Sequence, residues 1–216
     1  MTRDYGWSEV WFLLMAARWT VGLTAAAFIV GGVLGILIAL SRTSRWQALS
    51  LVVAGWVRLF QNTPLLVQLF LIYYGVALFG LRPSAWVAGT LGLTLHASAY
   101  LGEIWRGSIL SVPRQQWEAA ESLALSPWQM RLYVILPQAV QISIAPTVGF
   151  LVQLLKNSSL VSIVGIEELM RASSMMNTAT WKPFLVLSTA AIIYFCICFP
   201  LTSLSRHLEK KTHVYN

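Results

Sequence analysis

The polar residues that could do work in this 216-residue chain are few, and they interrupt otherwise apolar runs. Asn62, Thr63 and Gln68 flank a proline, Glu103 lies in the later half of a long apolar stretch, and Gln153, Lys156, Asn157 and Ser158 close another. A charge at the middle of a lipid-embedded helix costs about 2.5–3.5 kcal/mol on insertion scales, so such groups face one another, a neighbouring helix or a watery path. Helices broken by proline free backbone donors and acceptors, and at such breaks membrane carriers hold polar solutes. The chemistry these residues suit is recognition of a polar solute by charge and hydrogen bonds. The opposing reading is mutual satisfaction, in which Glu103 and Lys156 pair with each other or hold helices together. Gln68 needs a polar neighbour under either reading. Glu167 and Glu168 read as a solvated external rim.

Covalent chemistry is not encoded. His96, His207 and His213 are far apart, no metal-ligand spacing occurs, and no glycine-rich phosphate loop is present. No nucleophile–base set can be assembled from the sequence. Cys196 and Cys198 are two apart in an apolar run, where a helix points them in different directions, so they read as packing residues rather than a disulfide or metal site. The chain is expected not to be an enzyme and to hold no cofactor of its own.

The elements that must position these residues are membrane spans. Hydrophobic residues make up 57% of the chain and charged ones 11%, against about 25% charged in a soluble domain. Ten Trp and seven Tyr suit two membrane–water interfaces. The net charge of +7 comes without a long basic run, so it points to the positive-inside rule and not to nucleic acid. No cleavable signal peptide is expected, because Arg3, Asp4 and Glu9 sit in the first ten residues with no cleavage site after a short apolar core. Five apolar segments of about 20 residues or more predict an all-α integral membrane protein of one domain, 1–216. They run from about 19–40, 48–79, 85–110, 137–157 and 184–204. Gly31, Gly32 and Gly35 give the first a small-residue face for close helix packing. The second is expected to break at Gln61-Asn62-Thr63-Pro64, and the fourth to bend at Pro146. Val161 to Met170 reads as interfacial or re-entrant.

Orientation follows from Lys and Arg placement. One side would hold Arg42, Arg45, Arg114, Arg131, Arg206, Lys210 and Lys211, the other Arg3, Arg82, Arg171 and Lys182. The richer side is cytoplasmic, which puts the N-terminus outside, the C-terminus inside and the loop between spans three and four in the cytoplasm.

That loop, about 113–130, is one of the few amphipathic pieces. Trp117, Ala120, Leu123, Ala124 and Trp128 recur at helical spacing and predict one apolar face. Pro113 suits a first turn, and Ser126-Pro127-Trp128-Gln129 has the order of a capping box. Two short helices joined at Ser126 are expected, lying at the membrane surface. They are either an ordinary interfacial pair or a docking element.

Here a resemblance enters. EAAESLALSPWQMRLYVILPQA (Glu118 to Ala139) resembles the EAA loop of ABC importer permeases, with Glu118, Ala119, Ala120, Leu136 and Pro137 matching, Ala124 in place of Gly and Val134 in place of Ile. TPLLVQLFLIYYG (Thr63 to Gly75), SAYLGEIWRGSILSVPRQQWEAA (Ser98 to Ala120) and LLKNSSLVSIVGIEEL (Leu154 to Leu169) are similar to the polar amino-acid uptake group, the histidine/glutamine/glutamate type. Arg58, Gln61 and Asn62 depart from it, standing where the group often has Glu, Arg and Gly, so the role of that pair is not carried over. The resemblance implies a type I ABC importer permease fold, with a coupling helix carrying Glu118, Ala119, Ala120 and Ala124 and followed by Leu136 and Pro137. It implies a second permease subunit, identical or paralogous, two ATP-binding subunits that hold ATP and Mg, and an external substrate-binding protein. It also implies an amino-acid substrate and a bacterial inner-membrane location. The rival readings are a self-contained secondary carrier, which would need inverted repeats in one chain, a membrane-embedded enzyme and a structural assembly factor.

Overall fold

Proline and glycine set the limits of the long apolar runs, and the runs between them are helical. The computed structural model describes residues 4–44 and 46–213, except the side chains of 211–213, and every regular element among these residues is a helix. Arg3 and Arg45, both used for orientation, lie outside the described residues, as do the side chains of Lys211 and His213.

The first helix, α1 (Trp7–Arg42), starts twelve residues before the expected span, its first turn capped by the Glu9 carboxylate accepting from the Gly6 N–H at 2.8 Å. Then α2 (Gln47–Asn62) runs to the expected break, and α3 (Leu65–Phe70) continues through a π turn and a 3-10 turn to Phe79. The second arm is bent by 105° from the first, so the 48–79 segment does not pass straight through. The cause is local. Pro64 has no N–H to give the Phe60 carbonyl, and the Gln68 side-chain amide supplies the missing donor at 2.8 Å. The same amide lies 3.0 Å from the Thr63 carbonyl and 2.8 Å from its hydroxyl, bracing the bend from inside.

The centre of the fold is α4 (Ala85–Leu110), packed against α1, α2, α3 and α7 (Leu136–Asn157). A Cβ on Gly31 would lie 2.7 Å from the Ala97 Cβ and 2.9 Å from the Thr94 carbonyl, and one on Gly102 would lie 2.5 Å from Ile38. The small-residue face read in the sequence is therefore the α1–α4 seam, where the two backbones approach most closely. Leu23, Ala27, Leu69, Leu93, Ala97, Leu101, Phe150 and Leu154 fill the core around it.

After α4 come α5 (Arg114–Ser122) and α6 (Pro127–Gln129), which passes through a π turn, Met130–Ile135, into α7. The π turn precedes Pro137, whose absent N–H leaves the Tyr133 carbonyl without its ordinary partner. Pro146 sits inside α7 without ending it. A 3-10 run, Ser158–Val164, stops at Gly165 with φ 101°. Two further helices close the chain, α8 (Leu169–Thr180), which the sequence did not signal, and α9 (Pro183–His213).

Three stretches are long and apolar enough to cross a membrane, Trp7–Arg42, Pro127–Val164 and Pro183–Lys210, and the bent pair makes up to four. At 26 residues α4 has the length to cross but not the apolarity. Its inner faces carry Gly89, Gly92, Thr94, His96, Ser98 and Gly102, all buried by neighbouring helices. A helix shielded from lipid need not be lipophilic. These several apolar helices make the chain a multi-pass membrane protein.

Candidate functional site

Two regions hold part of the residues singled out in the sequence: a groove between α7 and α9, and the α5–α6 loop. The groove, about 610 Å³, is lined by Lys156 of α7 and by Tyr194, Cys198, Thr202 and Arg206 of α9. A second depression of about 350 Å³ adds Gln153, Gly149 and Ser205 along the same two helices. The helices are held together there by the Ser205 hydroxyl, which donates to the Ala145 carbonyl at 3.0 Å, and by Val152, Leu155 and Cys198 in apolar contact. Two cations line this groove, and two of its hydroxyls spend their protons elsewhere, Thr202 on the Cys198 carbonyl at 2.9 Å and Tyr194 on Glu168 at 3.0 Å. Such a surface offers positive charge to a carboxylate and oxygen lone pairs to an ammonium, the two ends of a zwitterion.

The other expected pathway residues are not gathered into that groove. Thr63 and Gln68 bond to each other at the α2–α3 bend, and Asn62 is exposed beside them. Gln68 is 6% exposed, and its Oε1 is buried without a hydrogen-bond partner. Glu103 pairs with Arg106 one turn along α4, with Arg106 Nε at 2.9 Å from the carboxylate. The alternative in which Glu103 and Lys156 satisfy each other is thus corrected: the nearer cation on the same helix takes the carboxylate. Ser158 is fully buried and donates to the Leu155 carbonyl at 2.7 Å, while Asn157 is half-buried at the end of α7.

A second correction concerns the acidic pair after the fourth span. Glu167 is exposed, as expected of a solvated rim, but Glu168 is 0% exposed. Its carboxylate accepts from the Thr20 hydroxyl of α1 at 3.1 Å, the Tyr194 hydroxyl of α9 at 3.0 Å and the Arg171 N–H at 2.9 Å, capping α8. Burial pushes the Glu168 carboxyl above the usual carboxylate range, and the donated hydrogen bonds pull against that shift. Two adjacent identical residues differ only in which way they point. No sequence period marks that difference, because neither arm of an unrecognised helix cap is periodic.

In the α5–α6 loop the capping box forms as expected: Gln129 N–H donates to the Ser126 hydroxyl at 3.3 Å, and Ser126 N–H to the Gln129 side chain at 3.0 Å. The single apolar face does not. The first helix ends at Ser122, so Leu123 and Ala124 lie in a turn, and Ala124 takes φ 54°. Ala120 is 2% exposed, turned inward where α5 packs on the π turn. The outward surface instead carries Ala119, Leu123 at 75% exposure and Trp128 at 70%. Glu118 is exposed and accepts from Arg114 Nε at 3.0 Å. Leu136 is half-buried and Pro137 exposed where the π turn meets α7. Among the described residues no three His, Cys, Asp or Glu side chains cluster as metal ligands would.

The family described as "Binding-protein-dependent transport system inner membrane component" matches residues 31–214. The chain belongs to this family. It is a permease, the membrane subunit of an ABC transporter, and not an enzyme, which sets aside both the self-contained carrier and the membrane-embedded enzyme. The permease is 35% identical over 198 residues to the L-cystine transport system permease protein TcyB of Bacillus subtilis (strain 168), covering 91% of this chain and 85% of that one. It is 31% identical over 204 residues to the putative glutamine transport system permease protein GlnP of Rickettsia conorii (strain ATCC VR-613 / Malish 7), covering 94% of each. Among solved structures, an amino acid ABC transporter crystallised with histidines superposes with a TM-score of 0.90 at 33% identity, over 98% of this chain and 100% of that one. The MetNI methionine ABC transporter in an inward-facing form superposes with a TM-score of 0.77 at 18% identity, over 96% and 99% of the chains, a likeness of fold alone. The permease has the type I ABC permease fold.

Proposed function

We propose that this permease imports amino acids across the bacterial inner membrane as half of a paired translocation pathway. The observation that carries the substrate class is the similarity along nearly the whole chain to permeases named for cystine and glutamine transport, at 35% and 31% identity. A second permease subunit, identical or paralogous, completes the pathway, and an external substrate-binding protein delivers the amino acid. Two ATP-binding subunits hold ATP and Mg and supply the energy, so this chain carries no cofactor. Five crossings, with α1, the bent α2–α3 arm, α4, α7 and α9 each counted once, put the N-terminus outside and the C-terminus in the cytoplasm. The α5–α6 loop then faces the ATP-binding subunits as the coupling element, and its exposed Leu123 and Trp128 are the apolar groups it offers. Of the pathway residues, Lys156 and Gln153 have the best support, because both line the α7–α9 groove. Every amino acid has a carboxylate, so a lysine there does not select an acidic side chain.

The test is to purify the permease with the subunits that accompany it, identify them, and measure ATPase stimulation across a panel of amino acids. Stimulation by one or a few is expected, and Lys156→Met should abolish it or change which amino acid works while the complex still assembles. An assembled complex that no amino acid stimulates, or that is blind to Lys156→Met, defeats the substrate class or the pathway respectively.

A further inference from the structure

Glu168 sits behind the α7–α9 groove without lining it. The chain leaves Lys156 at the end of α7, passes the 3-10 run Ser158–Val164, and returns at Glu168, whose carboxylate meets the outer side of Tyr194. Every partner of this buried carboxylate is a donor: the Thr20 and Tyr194 hydroxyls at 3.1 and 3.0 Å, the Arg171 N–H at 2.9 Å and the Met170 N–H. Thr20 also accepts from the Leu169 N–H at 3.1 Å, so its own proton is left for the carboxylate. An acceptor-only group suits that set, and a buried hydrogen bond to a charged group is among the stronger ones. The ring of Tyr194 packs on Val152, Leu155 and Cys198, and it faces the groove with Lys156.

We propose that Glu168 is a positioning residue of the solute pathway: through the Tyr194 hydroxyl it fixes the α9 wall of the groove opposite Lys156 and so sets the groove's width. The proposal rests on the reading of that groove as part of the pathway. Without the tether, Tyr194 keeps its apolar contacts, and its hydroxyl end keeps only the contact with the Thr20 hydroxyl. The neighbouring thiol reports this directly. Cys198 is 7% exposed and lines the same groove, and Cys196, exposed on the other side of α9, can be removed without touching it.

The experiment uses the Cys196→Ser permease in complex with its ATP-binding subunits, with Cys198 as the one remaining cysteine of the two in the chain. Labelling by a small methanethiosulfonate reagent is timed in this background and with Tyr194→Phe, Glu168→Gln and both together. Tyr194→Phe removes one hydroxyl and preserves the ring, which covers the case in which Glu168→Gln fails to assemble. Each single variant should label about tenfold faster, the loss of one charge-assisted hydrogen bond, and the double variant no faster than either. The amino acid concentration giving half-maximal ATPase stimulation, read with L-glutamine and L-cystine, should rise in parallel for whichever of the two stimulates. Unchanged labelling in Tyr194→Phe overturns the tether, and so does an additive double variant. Faster labelling with an unchanged half-maximal concentration reduces Glu168 to a structural clasp and overturns its positioning role. Failure of the pathway reading is seen separately, as indifference to Lys156→Met, and leaves the labelling result readable.

Discussion

At the scale of single residues, two positions change meaning once their backbone and burial are known. Ala124 falls in register with an apolar helix face in the sequence, and on that reading a glycine there would cost helix propensity. It is instead a turn residue at φ 54°, a region that costs an L-residue about 1–2 kcal/mol and glycine little. Ala124→Gly should therefore stabilise the loop by up to about 1 kcal/mol, and Ala124→Val should destabilise it, both read from thermal unfolding of the purified complex. The sign is opposite to that of the helical reading, so one melting curve separates them. Glu168 has a pH signature. Burial holds its carboxyl above the usual range in the folded state, so between the unfolded and folded values the folded protein binds more protons. Its contribution to stability is therefore fully present below the unfolded carboxylate value and is lost as pH rises through the raised one. The melting temperature of the wild type relative to Glu168→Gln should fall as pH rises through that window. A pH-independent difference between the two proteins would show that Glu168 does not titrate there.

At the scale of elements, what was legible in the sequence was whatever proline, glycine and capping residues determine locally. The break at Pro64 and the capping box at Ser126 follow from chain chemistry that needs no partner, and Gly31 and Gly35 mark a face for close packing without saying that α4 fills it. The seam makes a graded prediction. Gly31→Val places a branched side chain where the Ala97 Cβ and the Thr94 carbonyl lie 2.7 and 2.9 Å from a Cβ position, and overpacking of this kind costs about 1–3 kcal/mol. Gly55→Ala, with open space around its Cβ, should be neutral or stabilising by up to about 1 kcal/mol, since alanine is the better helix former. Loss of folded yield in the second and not the first would refute the packing account. The 105° bend, the α8 helix and the inward turn of Ala120 were not legible, because each depends on what the segment packs against. For the loop, the exposed residues now carry the expectation. Leu123→Asp and Trp128→Ala should weaken capture of the ATP-binding subunit in a pull-down, whereas Ala120→Leu should lower the stability of the permease itself. Full capture by both surface variants would remove this face from consideration.

At the scale of the whole molecule, the charge asymmetry of the loops predicts sidedness. A single cysteine introduced at Glu121, in the exposed α5 helix, should react with an impermeant maleimide only when the cytoplasmic side is open to it, and labelling from outside in intact cells would invert the topology. The candidate site was half legible for a related reason. The sequence marked Lys156 and Gln153 because charge and amide are conspicuous in apolar surroundings, but the groove they share with α9 is a tertiary fact. Tyr194 and Arg206 entered it unannounced. The same relation between composition and surroundings has a consequence for how the protein is made. Central α4 carries small and polar residues that its neighbours bury, so its place in the bilayer is shared with them. The chain order supplies that company: α1 is synthesised first, and its glycine seam is the surface on which α4 closes at Gly31 and Gly102. An emerging α4 that finds α1 already in the bilayer meets a partner that covers its polar face. The order of synthesis thus presents the face on which α4 packs before α4 itself is made.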